Sequence, residues 1–127
     1  MDPKDLRYAT THEWSALKKD LVIVGITKFA VEQLTDITYI DLPDVGDHTF
    51  AGESFAEVEA VKAAEDLYAP VNGEIVEINK KLLDDPKMLA DDPYGNGWIV
   101  KIRPEPGQTL DHLMTLEQYE KQIAEGH

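Results

Sequence analysis

The sequence contains no cysteine among its 127 residues. Disulfide bridges, thiolate zinc sites, iron–sulfur clusters and cysteine nucleophiles are therefore excluded. Long apolar runs are also missing, because the longest, Leu21–Ile26, falls far short of the roughly 20 residues that cross a bilayer. No membrane helix is expected, and any sulfur chemistry in which the protein takes part must be supplied by a cofactor or a partner.

Positive charge is scarce as well. The chain has 12 Lys+Arg residues against 25 Asp+Glu residues, which gives a formal net charge of −13. This charge repels phosphate backbones, so nucleic-acid binding loses its main source of affinity, and basic partner surfaces are favoured instead. The hydrophobic content of 43% is enough for one small core, and we expect residues 1–127 to form a single domain.

The first residues carry neither the basic segment nor the apolar segment of a secretory signal. The expected location is therefore the cytoplasm of a bacterium. The alternative is the mitochondrial matrix, if the chain is the mature form of an organellar protein.

Glycines and prolines divide the chain into short pieces with the branched and alternating patterns of β-strands. Thr27 can cap a helix over residues 28–35, and Thr115 opens a capping-box pattern for a C-terminal helix. The pattern indicates a compact β fold with one helix over the sheet and one docked tail helix. The predicted strands cover residues 21–26, 37–42, 54–61, 73–78 and 98–102, and shorter helical turns are predicted around 85–90 and 109–113.

Side chains that carry common catalytic chemistry do not occur in usable patterns. The chain has no Gly-x-Ser-x-Gly motif, and Gly95-Asn96-Gly97 leads into a predicted strand where a dinucleotide site needs a helix. His12 and Glu13 lack the third group that a hydrolase would need. None of the four histidines has metal-site spacing, so we expect no catalytic metal. The four histidines are His12, His48, His112 and His127.

The most informative segment extends from Gly52 to Gly73 and reads GESFAEVEAVKAAEDLYAPVNG. Lys62 lies near its centre with strand-like residues on both sides, which predicts a hairpin with Lys62 at an exposed tip. An exposed lysine without activating neighbours is a poor nucleophile. It is suited to enzymatic acylation, which would make it the root of a swinging prosthetic arm. An ordinary surface lysine in a turn is the alternative.

Further short motifs follow a definite order along the chain. They are Thr11-His12-Glu13-Trp14, Val24-Gly25-Ile26-Thr27, Leu42-Pro43-Asp44-Val45-Gly46, Ala51-Gly52-Glu53-Ser54, EAVKAAED at 59–66, LYAPVNGE at 67–74 and Asp92-Pro93-Tyr94-Gly95-Asn96-Gly97-Trp98. Each motif is weak alone, but the set resembles the glycine cleavage system H proteins over essentially the whole chain. The segment around Lys62 resembles the lipoyl-lysine hairpin of that family.

The resemblance implies a mainly β fold with a few helices, a lipoyl-domain-like barrel-sandwich hybrid. In it, two small antiparallel sheets are accompanied by one helix over the sheets and a C-terminal helix. The resemblance also implies that Lys62 carries lipoate in amide linkage and that the protein is a carrier rather than an enzyme. The implied role is to shuttle an aminomethyl group from glycine decarboxylase (P protein) to a tetrahydrofolate-dependent aminomethyltransferase (T protein). Electrons would pass to dihydrolipoyl dehydrogenase (L protein), and a lipoate-attaching enzyme is the remaining implied partner.

A surface cleft that shelters the loaded arm is implied too. Thr11, Glu13 and Asp66 match positions where family members have polar groups lining that cleft. We expect Glu13 and Asp66 to stabilise the protonated amine of the cargo, the alternatives being a fold role for Glu13 beside Trp14 and a turn-capping role for Asp66. Acidic residues near Lys62 form an expected recognition rim for basic partner entrances: Glu57, Glu59 and Glu65.

Three positions depart from the family pattern. Many members have Ser where this chain has Ala60 and Glu65, and some have His near Phe29. These departures keep open an H-like paralogue that relays lipoyl groups to other lipoyl-dependent complexes. A non-lipoylated acidic adaptor is the further alternative, and it predicts that Lys62 is dispensable. A biotinyl domain is disfavoured, because its hairpin typically reads Met-Lys-Met where this chain has Val61-Lys62-Ala63.

Overall fold

The computed structural model describes residues 1–126, so His127, one of the four histidines considered for metal binding, lies outside the described residues. Within residues 1–126, none of the helices combines the length and the apolar character needed to span a bilayer. The elements in chain order are a 3-10 helix Pro3–Asp5, β1 Arg7–Tyr8, β2 Glu13–Lys18, β3 Leu21–Ile26, α1 Lys28–Leu34, β4 Ile37–Asp41, β5 His48–Thr49, β6 Ser54–Ala60, β7 Ala64–Tyr68, β8 Gly73–Ile78, α2 Lys81–Asp84, α3 Met88–Asp91, β9 Val100–Pro104 and α4 Leu116–Ala124.

The strands form two antiparallel sheets. One has six strands in the order β1-β2-β3-β9-β8-β5, and the other has three in the order β4-β6-β7. The predicted mainly β fold with two sheets, a helix following β3 and a C-terminal helix is confirmed. Both helices begin as predicted: Thr27 Oγ1 accepts from the Ala30 N–H at 3.3 Å, and Thr115 forms a capping box with Gln118.

Some predicted boundaries and elements were wrong. The last predicted strand, 98–102, lies two residues later as β9, and residues 109–113 form turns rather than a helix. The helical turn predicted around 85–90 overlaps the short helix α3, Met88–Asp91, whereas α2 was not predicted. Strand β2 was missed: Glu13 to Ala16 alternate polar and apolar residues over only four positions, and both sets are buried in the structure.

The main core lies between the two sheets and α1. Apolar residues of β3 and β9 from the larger sheet meet those of β4, β6 and β7 from the smaller one, and α1 covers them with Val31 and Leu34. The buried members include Val22, Val24, Ile26, Ile37, Ile40, Val58, Leu67, Ile75, Val100 and Ile102. This shared core holds the β6–β7 hairpin at a fixed position relative to α1.

A second cluster surrounds Trp14 at the other side of the larger sheet. Trp14 is fully buried, and its Nε1–H donates to the Pro93 carbonyl at 2.9 Å. The indole lies directly over Gly25 on β3, where a Cβ atom would come within 2.4 Å of the ring. The absence of a side chain at position 25 therefore makes room for Trp14. The remaining members include Leu6, Tyr8, Ala16, Ile23 and Tyr119.

Candidate functional site

The β6–β7 hairpin ends in a tight turn that carries Lys62. The Ala60 N–H donates to the Ala63 carbonyl at 2.7 Å, so only Val61 and Lys62 lie between the closing residues. The Val61 N–H donates to the Asp36 carbonyl at 3.0 Å, which ties the turn to the connection between α1 and β4. Lys62 is exposed, as the sequence predicted. Its amine is thus presented on an anchored tip.

A groove starts beside this tip and follows β7. It has a volume of about 570 Å³ and is bounded by three segments far apart in the chain, 10–12, 26–34 and 63–68, together with Gly126. With a rise of about 3.3 Å per residue, the part of the groove along Ala63 to Tyr68 is about 16 Å long. Its lining combines apolar and polar groups: Thr10, Thr11, His12, Ile26, Phe29, Ala30, Gln33, Leu34, Ala63, Glu65, Asp66, Leu67, Tyr68 and Gly126. We call it the arm groove.

The floor of the arm groove includes an open sheet edge, because β7 is an outer strand of the three-stranded sheet. The Ala60–Ala63 pair is hydrogen bonded across the turn, and bonded pairs alternate with non-bonded pairs along an antiparallel ladder. The N–H and C=O groups of Ala64 and Asp66 therefore point away from β6. The next group in this series, the Tyr68 N–H, donates to Glu13 Oε2 at 3.0 Å.

The opposite wall of the arm groove is the loop between β1 and β2. The Ala9 N–H donates to the Glu13 carbonyl and the His12 N–H donates to the Ala9 carbonyl, both at 3.0 Å. This arrangement is a hairpin with a three-residue loop, Thr10 to His12, whose last residue takes the left-handed conformation. His12 has a φ of 81°, although glycine is the usual residue at such a position.

Glu13 lies behind this wall and does not line the groove. Its side chain is 2% exposed, and its carboxylate accepts from the Thr11 hydroxyl and the Tyr68 N–H. Burial raises the pKa of the Glu13 carboxyl above its ordinary value, while these two hydrogen bonds act in the opposite direction. In this conformation Glu13 connects the loop wall to the β7 edge.

Acidic side chains lie across the smaller sheet near the tip. Asp41, Glu57 and Asp66 are directly paired across β4, β6 and β7, so the three carboxylates share one face. Glu59 pairs with Ala64, whereas Glu65 lies opposite the buried Val58 and hence on the other face. The recognition-rim residues are therefore divided between the two faces of the hairpin.

The structure brings together some of the residues that the sequence singled out and adds others. Thr11, Asp66 and Glu65 line the arm groove, as does Phe29, and Glu13 stands one layer behind. Asp66 lies within β7 and not in the turn, so it has no turn-capping role. His12, Ala30 and Gln33 were missed as groove residues. The i, i+4 spacing of Phe29 and Gln33 in α1 was the available signal for a shared helix face.

No cluster of three or more His, Cys, Asp or Glu residues within 1–126 has an arrangement that could hold a metal ion.

Comparison with known proteins identifies the family. The family model described as Glycine cleavage H-protein matches residues 6–126. The chain belongs to the glycine cleavage H-protein family. It is 48% identical over 123 residues to the glycine cleavage system H protein of Carboxydothermus hydrogenoformans, covering 97% of this chain and 95% of that protein. It is 49% identical over 117 residues to that of a Synechococcus species, covering 92% and 91%.

A solved structure shows the same fold. The crystal structure of a glycine cleavage system H protein from Mycobacterium marinum matches with a TM-score of 0.87 and 41% sequence identity, covering 97% of this chain and 99% of that one. Proteins of this family carry lipoate. As a member, this chain is a carrier component of the glycine cleavage system and not an enzyme.

Proposed function

We propose that Lys62 carries a lipoyl group in amide linkage and that the chain shuttles aminomethyl groups and electrons between the enzymes of glycine cleavage. The partners are glycine decarboxylase, the tetrahydrofolate-dependent aminomethyltransferase and dihydrolipoyl dehydrogenase, together with a lipoate-attaching enzyme. The observation that carries the proposal is the exposed Lys62 on an anchored two-residue tip, immediately beside a groove that continues along β7.

The residues of the arm groove fit a lipoyl group. The half-buried Phe29 and Ala30 offer apolar surface for an aliphatic chain and a dithiolane ring, with the buried Ile26, Leu34 and Leu67 beneath. The outward-pointing backbone groups of Ala64 and Asp66 can pair with the amide of an acylated lysine. When bound, the lipoyl group supplies the disulfide that a chain without cysteine lacks.

Two features of the groove suit a cargo that carries an amine. The Asp66 carboxylate provides negative charge at the lining, and Thr10 to His12 close one side of the groove. Glu13 contributes from the second layer, because its carboxylate holds Thr11 and the Tyr68 N–H in place. We therefore propose that Asp66 stabilises the amine directly. Glu13 supports the loop wall of the groove through its hydrogen bonds.

Docking to the partners is assigned to the acidic side chains around the tip. Asp41, Glu57 and Asp66 form one row of carboxylates on a single sheet face. Like charges placed directly opposite one another destabilise a sheet, so a partner with basic side chains around its entrance would relieve the repulsion. The overall charge of −13 adds faster electrostatic encounter with such a partner.

The attachment is tested by incubating the protein with a lipoate-protein ligase, lipoate and ATP, followed by intact mass measurement and peptide mapping. We expect one adduct, located on Lys62. The matched control is Lys62→Arg, which keeps the positive charge but cannot form the amide, and it should take up nothing although other lysines remain in the chain.

The carrier role is tested by adding the lipoylated protein to glycine decarboxylase, aminomethyltransferase and dihydrolipoyl dehydrogenase. Glycine-dependent reduction of NAD is expected with the wild type and not with Lys62→Arg. An adduct on Lys62 without this activity would favour the relay of lipoyl groups to other complexes. No adduct on Lys62 would refute the proposal and favour the acidic adaptor.

A further inference from the structure

The C-terminal helix α4 contacts the loop wall of the arm groove from behind. The Gln122 Nε2–H donates to the Thr10 carbonyl at 3.0 Å, and the Tyr119 hydroxyl lies 2.7 Å from His12 Nδ1. Tyr119 and Gln122 are three positions apart, so they project from the same face of the helix. The loop between β1 and β2 is thus held at both ends by a segment more than 100 residues away.

The Tyr119 hydroxyl also reaches the start of α1, whose residues Phe29, Ala30 and Gln33 form a second wall of the groove, the helix wall. It lies 2.7 Å from Thr27 Oγ1, and the same Thr27 oxygen accepts from the Ala30 N–H at the start of α1. The Thr27 N–H in turn donates to the His12 carbonyl at 3.0 Å. His12 and Ala30 both line the arm groove. One buried hydroxyl therefore links the loop wall to the helix wall.

The left-handed backbone of His12 indicates that its side chain has a role at this position. A non-glycine residue in the left-handed conformation carries a conformational cost, and such residues persist where the surrounding structure holds them. Glycine would fit the loop without that cost. The imidazole instead lines the groove, lies 5.2 Å from the Phe29 ring between centroids, and contacts Tyr119.

Tyr119 is suited to holding this position. It is 2% exposed, and its ring stacks on Tyr8 with centroids 4.8 Å apart and an interplanar angle of 6°. Burial raises the pKa of Tyr119 to about 12, so the hydroxyl keeps its proton in neutral solution. Both ring stacking and hydrogen bonding thus fix the hydroxyl between His12 and Thr27.

We propose that Tyr119 is a positioning residue of the arm groove, which sets the separation of its two walls through His12 and Thr27 and so shields the cargo on the arm from water. The proposal rests on the proposed function, because it assumes that a loaded arm occupies the groove. In the unprotected reaction, water adds to the cargo carbon as the sulfur–carbon bond breaks. The products are formaldehyde, ammonium and the free thiol.

The first measurement uses the unlipoylated protein and needs no arm. Hydrogen exchange is followed at the His12 amide, which donates to Ala9 within the loop wall, and at the Thr27 amide, which donates across to the His12 carbonyl. Tyr119→Phe keeps the stacked ring and removes only the hydroxyl. The matched control is Tyr8→Phe, which removes the other hydroxyl of the same stacked pair, one that donates to the Pro3 carbonyl at 2.6 Å, away from the groove. We expect exchange at both amides to rise about fivefold in Tyr119→Phe, as for one lost hydrogen bond, and not in the control.

The second measurement follows formaldehyde release from the loaded, isolated protein. We expect release to be about fivefold faster in Tyr119→Phe than in the wild type, with Tyr8→Phe unchanged. His12→Gly should also release formaldehyde faster, although its backbone is relieved of the left-handed cost. This result separates positioning from stability, since a role in stability alone predicts no faster loss in His12→Gly.

Equal amide exchange in Tyr119→Phe and Tyr8→Phe would overturn the proposal, and so would formaldehyde release from Tyr119→Phe at the wild-type rate. A wild-type chain that takes no lipoyl group at Lys62 would refute the proposed function. In that case the exchange comparison would still show whether Tyr119 holds the two walls together.

Discussion

Gly25→Ala is expected to destabilise the protein strongly, although alanine suits a β-strand at least as well as glycine does. The added methyl group would lie 2.4 Å from the Trp14 ring, far inside van der Waals contact. Trp14 is fully buried and its Nε1–H is bonded to the Pro93 carbonyl. The indole therefore has to move, and it then loses its hydrogen bond to the Pro93 carbonyl.

The size of the effect follows from two contributions. Overpacking a well-filled core costs about 1–3 kcal/mol, and leaving a buried donor without its acceptor costs about 1–3 kcal/mol more. We therefore expect the free energy of unfolding to fall by about 2–6 kcal/mol, a large share of the roughly 5–15 kcal/mol typical of a domain. Trp14 follows Glu13 in β2, so the support behind the arm groove should weaken as well.

The assay is equilibrium unfolding in urea, followed by tryptophan fluorescence and circular dichroism. The control is Gly46→Ala, where φ is +100° and nothing lies within 4 Å of the added carbon, so only the backbone cost of about 1–2 kcal/mol applies. If Gly25→Ala lost no more stability than Gly46→Ala, the argument that Gly25 makes room for the indole would be refuted.

Two further predictions concern charge. Burial raises the pKa of Glu13 in the folded protein above its value in the unfolded chain. The ionised carboxylate therefore lowers the free energy of unfolding. This loss is absent below the ordinary carboxyl pKa and is complete once the pH has risen through the raised value. Glu13→Gln, whose amide can still bond Thr11 and the Tyr68 N–H, should therefore unfold at higher urea than the wild type at neutral pH, and the difference should vanish near about pH 3; identical pH profiles would contradict this. Glu57→Gln removes the central charge of the Asp41–Glu57–Asp66 row and should stabilise the fold by about 0.5 kcal/mol at low salt. A gain that did not shrink in 1 M salt, where the Debye length is about 3 Å, would show that repulsion is not its cause.

Local features of the sequence were sufficient for much of the fold. Thr27 and Thr115 mark the helix starts because the capping hydrogen bonds reach only three residues ahead. The hairpin tip at Lys62 was predictable because a two-residue turn and its flanking strands lie within one continuous segment. Strand β2 was missed because Glu13 to Ala16 alternate over only four residues, the shortest run that indicates a strand, and Leu17 then breaks the alternation.

The candidate site was only partly visible in the sequence. Thr11 and Asp66 line the groove of the structure, but the sequence did not show that Glu13 would be buried behind the wall instead of lining it. Whether a carboxylate faces a groove or the layer behind it depends on which partners reach it, and the Tyr68 N–H comes from a strand 55 positions away. The walls of the groove likewise meet only when the two sheets pack around their shared core.

The sequence by itself therefore determined the class of the protein: an acidic β domain without thiols, with one lysine at the tip of a hairpin. These properties depend on composition and on contacts between near neighbours, which the order of residues already encodes. Only the tertiary structure decided how the groove beside that lysine is built. Tyr119 is 107 residues from His12 and 92 from Thr27, and a hydroxyl group can join residues so far apart in the chain only after the helix that carries it has docked.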